Sequence, residues 1–390
     1  MRDDDVLAAV RDLAPALRER AAETEELRRL PDGTVKELAE SGFFRLLQPR
    51  AFGGLAADPA VFYTALTEIA TACGSTGWVA SVMGVHPWHV ALFDPRAQQE
   101  VWGEHPGARI ASSYAPTGQV TSVAGGFRLS GRWRFSAGCD HAGWALLGGL
   151  VTDGEGRPVD MVTFLVPRRD YRVDDVWDTV GLRGTGSNDI VVDDAFVPGY
   201  RTLGYGPMAA LECPGHAANT EPLYRMPYAA VFTTAISTAV VAVAEGGYAS
   251  YVGTTRERFR VSYGQKAAED PFAQVRIARA ASDIDAGRLQ LARNIEDLFA
   301  VARRGGEIPM SLRARTRRDQ VLATERAINA VDLLMENAGG SPMRRDGSSV
   351  LQRAWRDVHA GRGQAANDVE RALVLFGKDA LGIDIQDPML

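Results

Sequence analysis

Residues 127–138 read Phe127-Arg128-Leu129-Ser130-Gly131-Arg132-Trp133-Arg134-Phe135-Ser136-Ala137-Gly138, after a Gly125-Gly126 turn. Apolar and polar residues alternate as far as Phe135, and small residues then end the run. A period of two predicts a strand with one buried face. The pattern continues outward. Ala111-Ser112-Ser113-Tyr114-Ala115-Pro116 opens the region, and Trp144 to Val151 and Met161 to Pro167 read as apolar strands, the first ending at the Asp153-Gly154 turn. A Gly-rich turn at 181–186 and a strand running to Pro198 close it. Residues 111–204 are therefore expected to form a small all-β domain.

Both flanks read as helical. Val6, Leu7, Val10, Leu13, Ala14 and Leu17 recur at spacings of three and four, which gives one apolar stripe. Pro31 opens a second predicted helix through Val35, Leu38 and Ala39 that stops near Gly42. A breaker-rich loop at 47–54 leads into helices over Asp58 to Thr71 and from Ser75, with His86-Pro87-Trp88-His89 at the end of the latter. Beyond a Gly- and Pro-rich loop at 200–224, four long helices are expected at 228–260, 271–304, 311–338 and 348–380. Helices of this length joined by short loops predict an antiparallel bundle. The expected domains are 1–108, 109–208 and 209–390.

A chain of 390 residues, 46% hydrophobic and 24% charged, suits a globular protein of two or three domains. Its net charge of -6 gives no reason to expect a nucleic-acid partner, and the densest basic cluster, Arg313 to Arg318, reads as a solvated helix face. Met1-Arg2-Asp3-Asp4-Asp5 is no signal-peptide core. The apolar run 228–244 is interrupted by Thr and Ser and reads as a bundle helix, so no membrane span is expected. Cys73, Cys139 and Cys213 form no CxxC pair, which fits a reducing cytoplasm.

Absent motifs narrow the chemistry. No GxGxxG follows a strand and no GxxxxGK[ST] occurs, so neither a Rossmann site nor a P-loop is present. No GxSxG elbow marks a nucleophile. His86 and His89 stand three apart with Pro87 between them and no further ligand cluster, so no metal site is expected. The acid–base candidates are His86, His89, His105, His141, His216 and His359.

Several motifs together resemble the acyl-CoA dehydrogenase superfamily over nearly the whole chain. They are Phe164-Leu165-Val166-Pro167, Gly181-Leu182-Arg183-Gly184-Thr185, the segment 192–198, Gly126 to Trp133, Arg260-Val261-Ser262-Tyr263-Gly264 with Gln274, Gly339-Gly340, and Arg353-Ala354-Trp355-Arg356-Asp357. The resemblance implies a mainly α fold with a helical N-terminal domain, a β-barrel middle domain and a C-terminal four-helix bundle. It also implies a flavin between β-domain and bundle, with Trp133 and Ser136 as ring contacts and Arg260 reaching the phosphates of a neighbouring subunit's flavin. Trp78, Ser113, Tyr114, Ala137, Gln274, Gly339, Gly340 and Ala365 complete the implied cofactor set. An isoalloxazine needs an aromatic wall and hydrogen-bond donors, and a phosphate needs a guanidinium fork.

The dehydrogenases of this family carry a catalytic Glu shortly after the Arg-Asp pair. Here Ala365 stands at about that place, so α-proton abstraction has no agent. Residues 355–359 and 364–368, Gly77 to Ser81, and Ser113 to Pro116 instead resemble the oxygenase components of two-component flavin monooxygenases, such as those acting on para-hydroxyphenylacetate and on a secosteroid phenol. That branch implies reduced FMN or FAD supplied by a separate reductase, a flavin C4a-hydroperoxide, and hydroxylation of an aromatic, phenolic or polyketide-like small molecule. The chain departs from the branch at Gln364, where a His is usual, and at Ala137, where a Ser often stands. Gln364 hydrogen-bonds but exchanges no proton at neutral pH; His86, which resembles the branch's other His on the N-terminal domain and has a reference pKa of about 6.5, is the candidate base. A homotetramer is expected, because the bundle's apolar faces exceed what one bundle buries. Two other readings fit the same architecture: an N-oxygenase of amino sugars, and a flavin dehydrogenase or oxidase.

Overall fold

A computed structural model describes residues 2–153, 155–260, 264–344, 349–385 and 387, without the side chains of Arg260 and Gln265. Six helices come first. α1 (Asp3–Glu19) begins with three aspartates, favourable at the positive end of the helix dipole, and buries Val6, Val10 and Leu17. α2 (Ala21–Leu27) and α3 (Asp32–Glu40) follow. The Asp58 side chain caps α4 (Pro59–Ala72) by accepting from the Ala60 N–H at 2.9 Å. α5 (Gly74–Val90) is buried at every residue, as a helix without a polar face must be. α6 (Pro95–Trp102) ends the block.

Seven strands make one sheet: β1 (Ile110–Val123), β2 (Gly126–Ser136), β3 (Trp144–Thr152), β4 (Pro158–Pro167), β5 (Arg172–Asp174), β6 (Asn188–Pro198) and β7 (Thr202–Gly204), in the order β5-β6-β2-β1-β3-β4-β7. The expected barrel is corrected to an open sheet. Its terminal strands, β5 and β7, are three residues each and pair only with β6 and β4, so no ladder closes the ring. β1 joins the two halves, pairing with β3 through its first residues and with β2 through its last, with a register shift between Ser113 and Gly118. Gly118 lies against the Trp133 indole, where a Cβ would come within 2.0 Å of Cζ2.

After α7 (Tyr205–Ala210) the bundle consists of α8 (Tyr228–Glu257), α9 (Pro271–Arg303), α10 (Met310–Glu336), α11 (Val350–Arg362) and α12 (Val369–Ala380). By length and composition α8 could cross a membrane, but it is the core helix here, mostly buried inside the fold. A hairpin, β8 (Phe259–Arg260) and β9 (Gln265–Lys266), stands where the sequence suggested helix up to 260. The helix expected over 348–380 is two helices. Asn367 Nδ2 turns back to the Gly361 carbonyl at 2.8 Å, and the Asp368 carboxylate caps α12 by accepting from Arg371 N–H at 3.1 Å.

Three units meet at Gly181 to Thr185. Gly181 and Gly184 let this loop lie on backbone, since a Cβ would come within 2.1 Å of Arg356 O and 2.6 Å of Thr24 O respectively. Leu182 N–H donates to Asp357 Oδ1 at 2.6 Å, Gly184 N–H to Ser75 Oγ at 3.1 Å, and Arg356 Nη1 to Val180 O at 2.9 Å. Beneath the loop, Arg353 and Arg356 both donate to Glu25 Oε2, at 3.2 and 3.1 Å. Burial pushes the neighbouring Asp357 carboxyl up to about 7.

Candidate active site

One face of α5 carries Trp78, Val82, His86 and His89. Trp78 packs toward Gly361 on α11, where a Cβ would stand 3.2 Å from its indole. The His86 ring is fully buried, and its Nδ1 is bonded to the Val82 carbonyl one turn earlier. A carbonyl only accepts, so Nδ1 carries the proton and Nε2 presents a lone pair, which has no partner. Tyr114 stacks parallel to His86 at 6.1 Å and Phe232 meets it edge-on at 6.4 Å. Burial pulls the His86 imidazole down to about 4, so it is neutral throughout the physiological range. This corrects the expected value near 6.5.

A second wall forms at the end of β2. The alternation places Trp133 and Phe135 on one face, but the two rings part. Trp133 is fully buried in the sheet and donates its indole N–H to Gly148 O at 2.8 Å. Between Trp133 and Ser136 the β2–β6 register slips by one residue, and Phe135 sits at φ +64°. The bulge turns Phe135 outward, 70% exposed, with Trp177 edge-on at 6.2 Å. The two rings line a cleft of about 380 Å³ with Arg132, Arg134, Thr179 and Ser187. Ser136 and Ala137 are buried behind it, and the Ser136 hydroxyl has no partner. Ser113 donates to Arg134 O at 2.7 Å. Gly138, at φ +69°, seats this segment on Val79 and Met83 of α5.

Gln364 is half-buried, and its side-chain oxygen accepts from the Ala366 N–H, so it caps its own turn beside the exposed Ala365. Arg317 donates to Ala366 O, and Thr324 Oγ1 to Asn367 Oδ1 at 3.3 Å. Between them on α10, Gln320 Nε2 donates to Ala229 O at 3.1 Å and to Thr234 Oγ1 at 2.9 Å. A buried polar ladder thus ties the Gln364 turn to the part of α8 that carries Phe232.

The remaining expected residues lie elsewhere. Phe232 and the end of α8 are 25 residues apart, or ~38 Å at 1.5 Å per residue, and the hairpin holding Arg260 follows that far end. Arg260's side chain and residues 261–263 lie outside the described residues. Gln274 Nε2 donates to Ala268 O at 3.0 Å beside the hairpin. Arg258 donates to Asn337 O at 3.2 Å and packs on Gly339, which puts Gly339 and Gly340 at the same end. The expected set therefore forms two groups at opposite ends of the bundle. Phe135 and Trp177 were not among the expected residues, because a period of two cannot show a bulge. Among the described residues no group of three or more His, Cys, Asp or Glu is placed to hold a metal ion.

The sequence matches the acyl-CoA dehydrogenase N-terminal domain over residues 3–104 and the acyl-CoA dehydrogenase C-terminal domain over residues 234–368. The chain belongs to the acyl-CoA dehydrogenase family, within its branch of flavin-dependent monooxygenase oxygenase subunits. It is 53% identical to the flavin-dependent monooxygenase oxygenase subunit HsaA of Rhodococcus jostii, covering 97% of this chain and 98% of that one. It is 35% identical to the FADH(2)-dependent resorcinol hydroxylase, oxygenase component, of a Rhizobium species, covering 97% and 94%. The crystal structure of 3-HSA hydroxylase from Rhodococcus sp. RHA1 superposes with a TM-score of 0.95 at 52% identity, covering 99% of each chain. The chain is accordingly an oxidoreductase that works with reduced flavin.

Proposed function

We propose that the chain hydroxylates a phenol, with reduced flavin delivered by a separate reductase and the flavin ring lying against Phe135 and Trp177. The observation that carries this reading is the His86 Nε2 lone pair, buried without a partner beneath stacked aromatic rings. A phenol O–H supplies the missing donor, and the rings of Tyr114 and Phe232 hold its arene. The cleft chemistry fits a flavin: an exposed aromatic pair, the hydroxyl residues Thr179 and Ser187, and Arg134 beside an Arg132 that is paired with Asp189. Bound reduced flavin would supply the electrons for oxygen insertion. The protein's part is to exclude water, fix the arene, and draw on the phenol proton through Nε2. Gln364 orders its own turn. The names of the curated relatives point the same way and do not favour the N-oxygenase or dehydrogenase readings. Three buried free thiols suit a cytoplasmic enzyme.

The test supplies the purified chain with reduced FMN or FAD, oxygen and a panel of phenols. Hydroxylated product is expected, with no NADH oxidation by the chain alone. NADH consumption by the chain alone, or peroxide release unaffected by any phenol, would overturn the reading.

The second group of residues, around Arg260, would complete the flavin site of another copy in a homotetramer. Its distance from His86 and the exposed Phe259 and Phe272 beside it support this. Arg260→Ala is expected to weaken reduced-flavin binding without unfolding the chain. An unchanged affinity, or a monomer by light scattering, would refute it.

A further inference from the structure

A cleft of about 880 Å³ opens between α3, the second half of α5 and one end of the sheet. Its walls include none of His86, Tyr114, Phe232, Phe135 or Trp177. α5 meets it along Met83 and Pro87, the ridge next to the one that carries Val82 and His86. Val35, Ala39 and Phe44 complete an apolar wall. The facing wall forms where three strands end. Arg109, Gly143 and Arg168 stand just outside β1, β3 and β4, at the same end of each. Gly143 N–H donates to Arg109 O at 2.9 Å, and Arg168 N–H donates to Gly143 O at 2.8 Å. The two arginines therefore flank one glycine, ~10 Å apart at two strand spacings. The space over that glycine is open, since a Cβ there would meet no atom within 4 Å.

We propose that this cleft binds an organic carboxylate, held by Arg109 and Arg168 across Gly143 with its apolar body on Met83, Pro87 and Phe44. The inference stands apart from the phenol reading. Arg109 donates through Nε to His141 O at 2.9 Å, and Arg168 through Nη1 to Tyr171 O at 2.7 Å. Neither arginine is ion-paired among the described residues. The carboxylates of the cleft are engaged with other groups: Asp32 with Arg29 at 3.5 Å, Glu40 with Lys36 at 3.8 Å, and Asp140 with Asn188 Nδ2 at 3.2 Å. Burial lowers the Arg109 pKa and no carboxylate offsets it, so an incoming anion relieves that cost. Guanidinium N–H groups suit an oxyanion. The three carboxylates nearby oppose a multiply charged phosphate, and the apolar wall favours an acid with a hydrocarbon body.

Isothermal titration of the full-length chain compares octanoate, octanol and inorganic phosphate, in the parent protein and in Arg109→Gln, Arg168→Gln and Gly143→Leu. The parent is expected to bind octanoate at least about tenfold more tightly than octanol, because only the acid makes the charged contacts. Each arginine variant is expected to weaken octanoate about tenfold and to leave octanol unchanged. Gly143→Leu keeps both charges but fills the space between them, and it should weaken both ligands. Thermal melting identifies a variant that fails to fold, and either arginine variant suffices without the other. Octanoate that does not bind, binds no more tightly than octanol, or binds equally in every folded variant overturns the proposal. Displacement of octanoate by a phenol that the chain hydroxylates also overturns it, by placing the acid in the phenol site. Phosphate bound more tightly than octanoate would make the cleft an inorganic-anion site and overturn the organic-acid assignment.

Discussion

His86→Ala is expected to lower coupled hydroxylation about 100-fold or more while leaving reduced-flavin binding intact. The side chain is a buried imidazole with an unpartnered Nε2, stacked on Tyr114 and met edge-on by Phe232. With its pKa drawn down to about 4 by burial, His86 does not change charge between pH 6 and 8. It acts as a neutral hydrogen-bond acceptor rather than a group that stores a proton. The pH profile of coupled turnover should therefore show no inflection near 6.5 that depends on His86. Full coupled turnover in His86→Ala would return His86 to the role of a core residue, and a step near pH 6.5 that vanishes in the variant would make it a titrating base instead of a neutral acceptor.

Glu25→Ala is expected to cost about 3–5 kcal/mol of stability, because it removes a buried carboxylate that both Arg353 and Arg356 hold and leaves the mostly buried Arg356 guanidinium without that charge partner. Arg353 and Arg356 both donate to Glu25, and Arg356 also holds the Val180 carbonyl. The change therefore loosens α2, the 181–185 loop and α11 together. Burial alone would raise the Glu25 pKa, but the two guanidiniums outweigh it and the net shift is downward. The triad's contribution is thus present above the unfolded pKa of glutamate and is lost as pH falls through the lower folded value. Chemical denaturation of the two proteins at pH 7 and pH 4 measures both effects. A loss under 1 kcal/mol at pH 7 would mean that the triad only specifies geometry.

The site was legible where chemistry follows residue type and failed where it follows backbone. The resemblance pointed to His86, Tyr114 and Trp78, and the fold buries the first and last on α5 and half-buries Tyr114 on β1. Trp133 and Phe135 sit on the same face of an ideal strand, and the one-residue bulge that separates them leaves no mark in hydrophobicity. Gln364 was found, but its capping role was not, because apolar periodicity continues through the break between α11 and α12. The barrel failed for a related reason. Alternation marks which residues form strands, while closure depends on the length and position of β5 and β7.

By itself the sequence determined the succession of helical block, β-domain and bundle, since apolar periods of 3.6 and 2 are set by local geometry. It also determined the family, through several separate motifs, and with the family the flavin chemistry. Tertiary structure alone decided that the expected flavin residues divide into two groups at opposite ends of α8. It alone decided that His86 is a neutral acceptor, because the pKa depends on what surrounds a ring and not on its place in the chain. The unpaired Nε2 of His86 became visible only there, since whether a buried group has a partner depends on contacts between distant segments.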